Sequence, residues 1–162
     1  MSRARKILIF GGVALAAFGM VYGLHYALFV EHQTLDEMGE SLMAAFTSGA
    51  ERNLPQAHAS IEAYANTKYK YVRQVDVHSH WIGLAMLMIV LGAAFDSVAL
   101  NARMQMLIAL TLLTGSIVFP LGVMLQTLTP GGTLANTCAI AGSGLVIVSL
   151  AVTAFGFARS TV

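Results

Sequence analysis

The chain has 162 residues, 57% of them hydrophobic and only 10% charged, and a mean hydropathy of +0.72, more apolar surface than one water-soluble core of this size can bury. Lipid is therefore part of its solvent. The formal net charge of +1 argues against a nucleic-acid binder, and a lone Cys138 inside an apolar run excludes a disulfide framework, a thiolate zinc cage and an iron–sulfur centre within one chain. Cys138 reads as a small buried residue.

The basic start, with Arg3, Arg5 and Lys6, leads into Ile7–Val30, 24 residues without a formal charge. That length exceeds the core of a signal peptide and predicts a retained spanning helix. Three more segments are long and apolar enough to span: Val77–Phe95, Met104–Leu128 and Leu134–Ala158. "DSVALNAR" connects the second and third, and "TPGGT" turns the chain between the third and fourth, where Pro130 and two glycines stop a helix. The expected fold class is all-α, an integral membrane four-helix bundle with up-down-up-down topology, forming one domain over residues 1–162. Arg3, Arg5, Lys6, Arg103 and Arg159 then share one side, which the positive-inside rule makes cytoplasmic, with both termini inside a bacterial-type plasma membrane.

Residues 31–76 form the only sizeable extramembrane part. Leu35, Met38, Leu42 and Phe46 are spaced three and four apart, Pro55 suits a helix start, and "SGAERN" between them supplies a turn. The first two spans thus extend beyond the bilayer as an antiparallel helical hairpin. Small residues recur along the spans, at Gly19 and Gly23, Gly115 and Gly122, Gly142 and Gly144, where backbones can approach closely within the bundle or in a homo-oligomer.

Five histidines raise the functional question. A hairpin bending near residues 50–53 brings His25 level with His78 and His32 level with Tyr71, since both arms rise about 1.5 Å per residue. Tyr71, Gln74, His78, Trp81 and Ala85 share one stripe of the second helix. Paired histidines on adjacent helices are a common way to hold b-type haem in a bundle, so His78 and His25 are the candidate iron ligands, with Trp81 among the apolar walls. Arg73 is the candidate propionate partner. His80, about 200° around the helix from His78, cannot share that iron and is expected to hydrogen-bond, to face a neighbouring subunit or to supply a cofactor ligand there. His58 falls far outside the bilayer. The methionines Met86, Met88, Met104, Met106 and Met124 lie at lipid depth as packing residues, and copper or zinc on His25, His32, His78 and Glu31 ranks below haem.

The stretch "VHSHWIGLAMLMIVLGAAF" resembles the second spanning helix of small four-helix membrane proteins related to the catalytic subunit of haem-copper oxidases. With Arg73 upstream and "HS" at His78–Ser79, it also resembles the membrane-bound styrene oxide isomerases, whose haem b acts as a Lewis acid on an epoxide oxygen. That resemblance implies His78 as haem ligand. Leu84 stands where those isomerases carry an Asn, and Met104–Leu128 contains no tyrosine where they use one. Two functions remain open: a haem b protein that performs Lewis-acid chemistry on a small apolar substrate or passes electrons from a quinol, and a cofactor-free accessory subunit that docks in a larger membrane complex through its hairpin.

Overall fold

The computed structural model describes residues 1–160, and these form five helices in the order α1 (Arg3–Phe29), α2 (Glu31–Ala50), α3 (Leu54–Ala94), α4 (Ala102–Leu128) and α5 (Thr133–Ser160), with a single 3-10 turn at Phe95–Ser97. No strand occurs among the described residues. Four helices are long and apolar enough to cross a membrane, namely α1, α3 with its terminal turn, α4 and α5. The expected all-α four-span architecture is what the chain adopts.

Local chemistry sets the helix ends. Ser2, Asn53 and Asn101 each accept a hydrogen bond through the side chain from a backbone N–H three residues on, at 3.2, 3.3 and 2.9 Å, and so satisfy otherwise orphaned donors of α1, α3 and α4. Pro55 occupies the first turn of α3. The tip of the hairpin is only Glu51–Asn53, shorter than "SGAERN", because Arg52 takes a left-handed conformation (φ 58°) that reverses the chain at once. Between α4 and α5, Gly131 at φ 74° makes the turn.

The expected single arm from the first span into the hairpin is broken at Val30 (φ −123°, ψ −41°). Its N–H still donates to the Tyr26 carbonyl at 2.9 Å and its carbonyl accepts from the Thr34 N–H at 3.1 Å, so α1 passes into α2 through a kink. By contrast α3 runs unbroken for 41 residues from the hairpin tip to the far side of the spans.

Along α3 one seam repeats at alternating spacings of three and four, from Ala57 and Ser60 through Tyr71, Gln74, His78 and Trp81 to Met88, Gly92 and Phe95, all buried or half-buried. That 3.5-residue period is the signature of two-stranded coiled-coil packing. The opposing seam is Ala45 and Ser48 on α2, then Tyr26, Gly19, Leu15, Gly12 and Leu8 on α1. Small residues hold the arms close at both ends. A Cβ added at Gly12 would come within 2.8 Å of the Ala85 carbonyl oxygen, and one at Gly92 within 2.7 Å of Ile9.

Helices α1, α3 and α4 pack against one another, and α5 packs along α4. The α4–α5 contact is again a close backbone approach, Gly115 against Gly142 and Gly122 against Ala139, whereas Gly144 meets nothing within 4 Å. Pro120 lies buried inside α4, a position that the apolar run did not single out. At the basic end, Arg5 pairs with Asp96 at 3.0 Å and the Ser2 N–H donates to the same carboxylate at 3.4 Å, tying the start of α1 to the end of α3.

Glycine at position 12 is a steric requirement, since the neighbour is backbone and cannot rotate away. Gly12→Ala is expected to cost about 1–3 kcal/mol and Gly144→Ala close to nothing, which thermal unfolding of the two variants in detergent would compare directly.

Candidate functional site

Polar residues gather where the α1–α2 kink meets the middle of α3, at the end of the spans nearest the hairpin. Tyr22 donates its hydroxyl to Gln74, and Tyr71 donates to Glu31 at 3.4 Å. The His78 Nδ1 lies 3.0 Å from the Gly19 carbonyl oxygen. A carbonyl only accepts, so the Nδ1–H donates in this contact. The imidazole fills the notch left by Gly23, whose missing Cβ would collide with it. Beneath this layer Trp81, 1% exposed, meets Phe18 and Tyr22 edge-on, with ring centroids at 4.7 and 5.0 Å.

Two antiparallel arms joined by one seam have two flanks. Residues one position after a seam residue emerge on one flank of both arms, and residues one position before emerge on the other. His25, one position before Tyr26, emerges on the flank toward α4. Its ring lies 5.5 Å from Phe29, and it lines a cavity of about 200 Å³ with Tyr22, Tyr26, Gln74 and Thr127. His78 instead lines a cavity of about 230 Å³ with Gly23, Tyr26, Ala27, Glu31 and Val75 on the opposite flank.

The two histidines expected to face each other are therefore not brought together. The arms pair in a register that sets His78 against Gly19 and Gly23, about one helical turn nearer the N-terminus than His25. His32 likewise gives its expected place to Glu31, which holds Tyr71. Arg73 is committed to Asp76 at 3.4 Å and lies over the Tyr69 ring at 5.2 Å. His80 packs against Phe119 of α4 with tilted rings whose centroids are 4.5 Å apart. His58 is exposed on the distal part of α3, and Cys138 is half-buried on α5. Of the candidates, only His78 and Trp81 share one seam.

Ligand cavities commonly measure about 300–1,000 Å³, and the space beside His78 is smaller and holds the Glu31 carboxylate. Among the described residues, no group of three or more His, Cys, Asp or Glu side chains is placed to hold a metal ion. The residues that sequence reasoning passed over are Tyr22, Tyr26 and Thr127. Their signal was present in the three-and-four spacing of Gly19, Tyr22 and Tyr26, which continues the seam of α1.

Comparison with protein families, curated proteins and solved structures finds no match to the chain.

Gly23→Ala is expected to displace the imidazole, break its contact with the Gly19 carbonyl and cost about 1–3 kcal/mol. In the His78→Ala background the same change should cost far less, and a double-mutant cycle of detergent unfolding would measure that coupling.

Proposed function

We propose that this is an accessory membrane protein that works through its extramembrane hairpin, assembling with a second copy of itself. The observation that carries this reading is the composition of the hairpin's two flanks. The flank toward α4 bears Glu37, Glu40, Lys70 and Arg73. The other bears Leu35, Leu42, Phe46, Ile61 and Val72, with Leu42 41%, Phe46 69% and Ile61 54% exposed. Beyond the bilayer no lipid covers such a stripe, and an apolar patch of this extent on a water-exposed surface marks an interaction site.

Symmetry and charge favour a second copy as the occupant. All copies insert in the same direction, so a two-fold axis stands along the membrane normal and sets α2 of one copy against α3 of the other. Leu42 then comes level with Ile61 across the axis. The full charges on this flank are Glu31 and Lys68, of opposite sign, and Lys68 is one turn of α3 from Tyr71, the residue that Glu31 holds. Two helices about 10 Å wide and about 30 Å long bury roughly 600 Å² per copy, roughly 1,200 Å² in all, the lower end of specific interfaces. In this reading the termini are cytoplasmic and the hairpin projects outward from a bacterial-type plasma membrane, since the cationic ends gather opposite the hairpin.

The reading is tested by mixing two differently tagged chains in a Cys138→Ala background, one with Leu42→Cys and the other with Ile61→Cys. Mild oxidation in native membranes should link the two tags, while Glu40→Cys with Lys70→Cys on the polar flank should not. No inter-tag disulfide from the first pair overturns the assembly.

A second reading, haem b binding, is favoured by the hydrogen bond of the His78 Nδ1–H to the Gly19 carbonyl, the kind of support that orients a metal-binding imidazole. The cavity beside His78 opens on the flank where the second copy would pack, so a macrocycle would have to be enclosed between two copies. There haem would supply electron transfer or Lewis acidity. Protein expressed with added haem should show a Soret band that His78→Ala abolishes and His25→Ala preserves; colourless protein excludes this reading.

A further inference from the structure

The polar layer puts two metal-ligating side chains in one cavity on the docking flank. His78 and Glu31 both line the space of about 230 Å³ that Gly23, Tyr26, Ala27 and Val75 complete. Every Cβ in a helix leans toward its own N-terminus, so His78 on α3 leans toward the hairpin and Glu31 on α2 leans back toward the spans, and the two converge. Each is held by one atom and leaves another. His78 donates through Nδ1 to the Gly19 carbonyl at 3.0 Å, and Glu31 accepts through Oε1 from Tyr71 at 3.4 Å. The far atoms, Nε2 and Oε2, have no hydrogen-bond partner among the described residues. Metal ligands are oriented in this way, an outer partner fixing the ring or the carboxylate while the other atom stays available. No Lys or Arg lines the cavity, so no cation of the chain neutralises Glu31 inside it.

We propose that two copies of the chain together bind one divalent transition-metal ion of the Zn²⁺ type at this level, through Nε2 of His78 and Oε2 of Glu31 from each copy. The site rests on the two-copy assembly proposed above, because one chain brings only these two donors to the cavity. A two-fold axis along the membrane normal keeps equivalent residues at equal depth, so the second copy supplies an identical pair across it. Four helices then surround the axis, and bundle interiors are where facing helices assemble metal sites. Two imidazoles and two carboxylates match the tetrahedral nitrogen and oxygen shell of Zn²⁺ and not the oxygen-only shells of Ca²⁺ or Mg²⁺. The two carboxylates also cancel the charge of the ion, which leaves a neutral centre at the membrane boundary.

EDTA-treated protein in detergent is titrated with Co²⁺, whose visible ligand-field bands report tetrahedral coordination. The expected result is saturable binding of one ion per two chains, weakened at least about a hundredfold by His78→Asn and by Glu31→Gln. Tyr71→Phe, which only frees the carboxylate, should weaken it about tenfold, and His25→Ala on the other flank should leave it unchanged. Binding that the first two substitutions do not weaken, or one ion per chain, overturns the site. The Leu42→Cys and Ile61→Cys pair in the Cys138→Ala background separates this inference from the assembly beneath it. If the linked dimer forms and binds no Co²⁺, the site fails and the assembly stands; if no link forms, the assembly fails and takes the site with it. A Soret band that survives EDTA and blocks Co²⁺ assigns His78 to haem and likewise overturns the site.

Discussion

Everything in this protein hangs on one seam, the 3.5-residue repeat that runs the length of α3 from Ala57 to Phe95. Coiled-coil packing usually belongs either to water or to lipid. Here the same repeat crosses from one to the other, and the side chains on it change with the solvent. At the hairpin tip, far from lipid, Ala45, Ser48, Ala57 and Ser60 let two helices touch with little apolar area. Inside the bilayer, Gly12, Gly19 and Gly92 let them touch because apolar burial gives no preference there and only close van der Waals contact remains.

Between these two dry stretches the seam passes the membrane boundary, and its residues there must satisfy hydrogen bonds while still packing. Tyr22 with Gln74, Tyr71 with Glu31 and His78 with the Gly19 carbonyl meet that demand. The kink at Val30 falls in the same layer, so α1 and α2 need not share one straight axis to follow α3. Tyr26, 7% exposed, stands in the same layer and borders the cavities on both flanks.

The seam also divides the molecule into two unlike sides. One is covered by α4 within the bilayer and carries acids and bases on the hairpin beyond it. The other carries Leu42, Phe46 and Ile61 into water and Met20, Ile82 and Met86 into the depth of the spans, without a helix of the described residues lying over it. The two flanks of one helix pair therefore present unlike surfaces, a covering helix and charged side chains on one and bare apolar side chains on the other.

Much of this was legible in the residues. Apolar length defined the four spans, Pro55 marked the start of α3, "TPGGT" marked the last turn, and the stripe of Tyr71, Gln74, His78, Trp81 and Ala85 was readable because helical periodicity is a local property, about 100° per residue. What only the tertiary structure decided is which residues stand opposite that stripe. Register between two helices depends on where backbones come closest, and that was set by the notches at Gly12, Gly19 and Gly23, a three-residue tip and a kink at Val30. A shift of one turn was enough to give His78 a backbone carbonyl in place of His25, to turn His25 toward α4 and to lay His80 on Phe119.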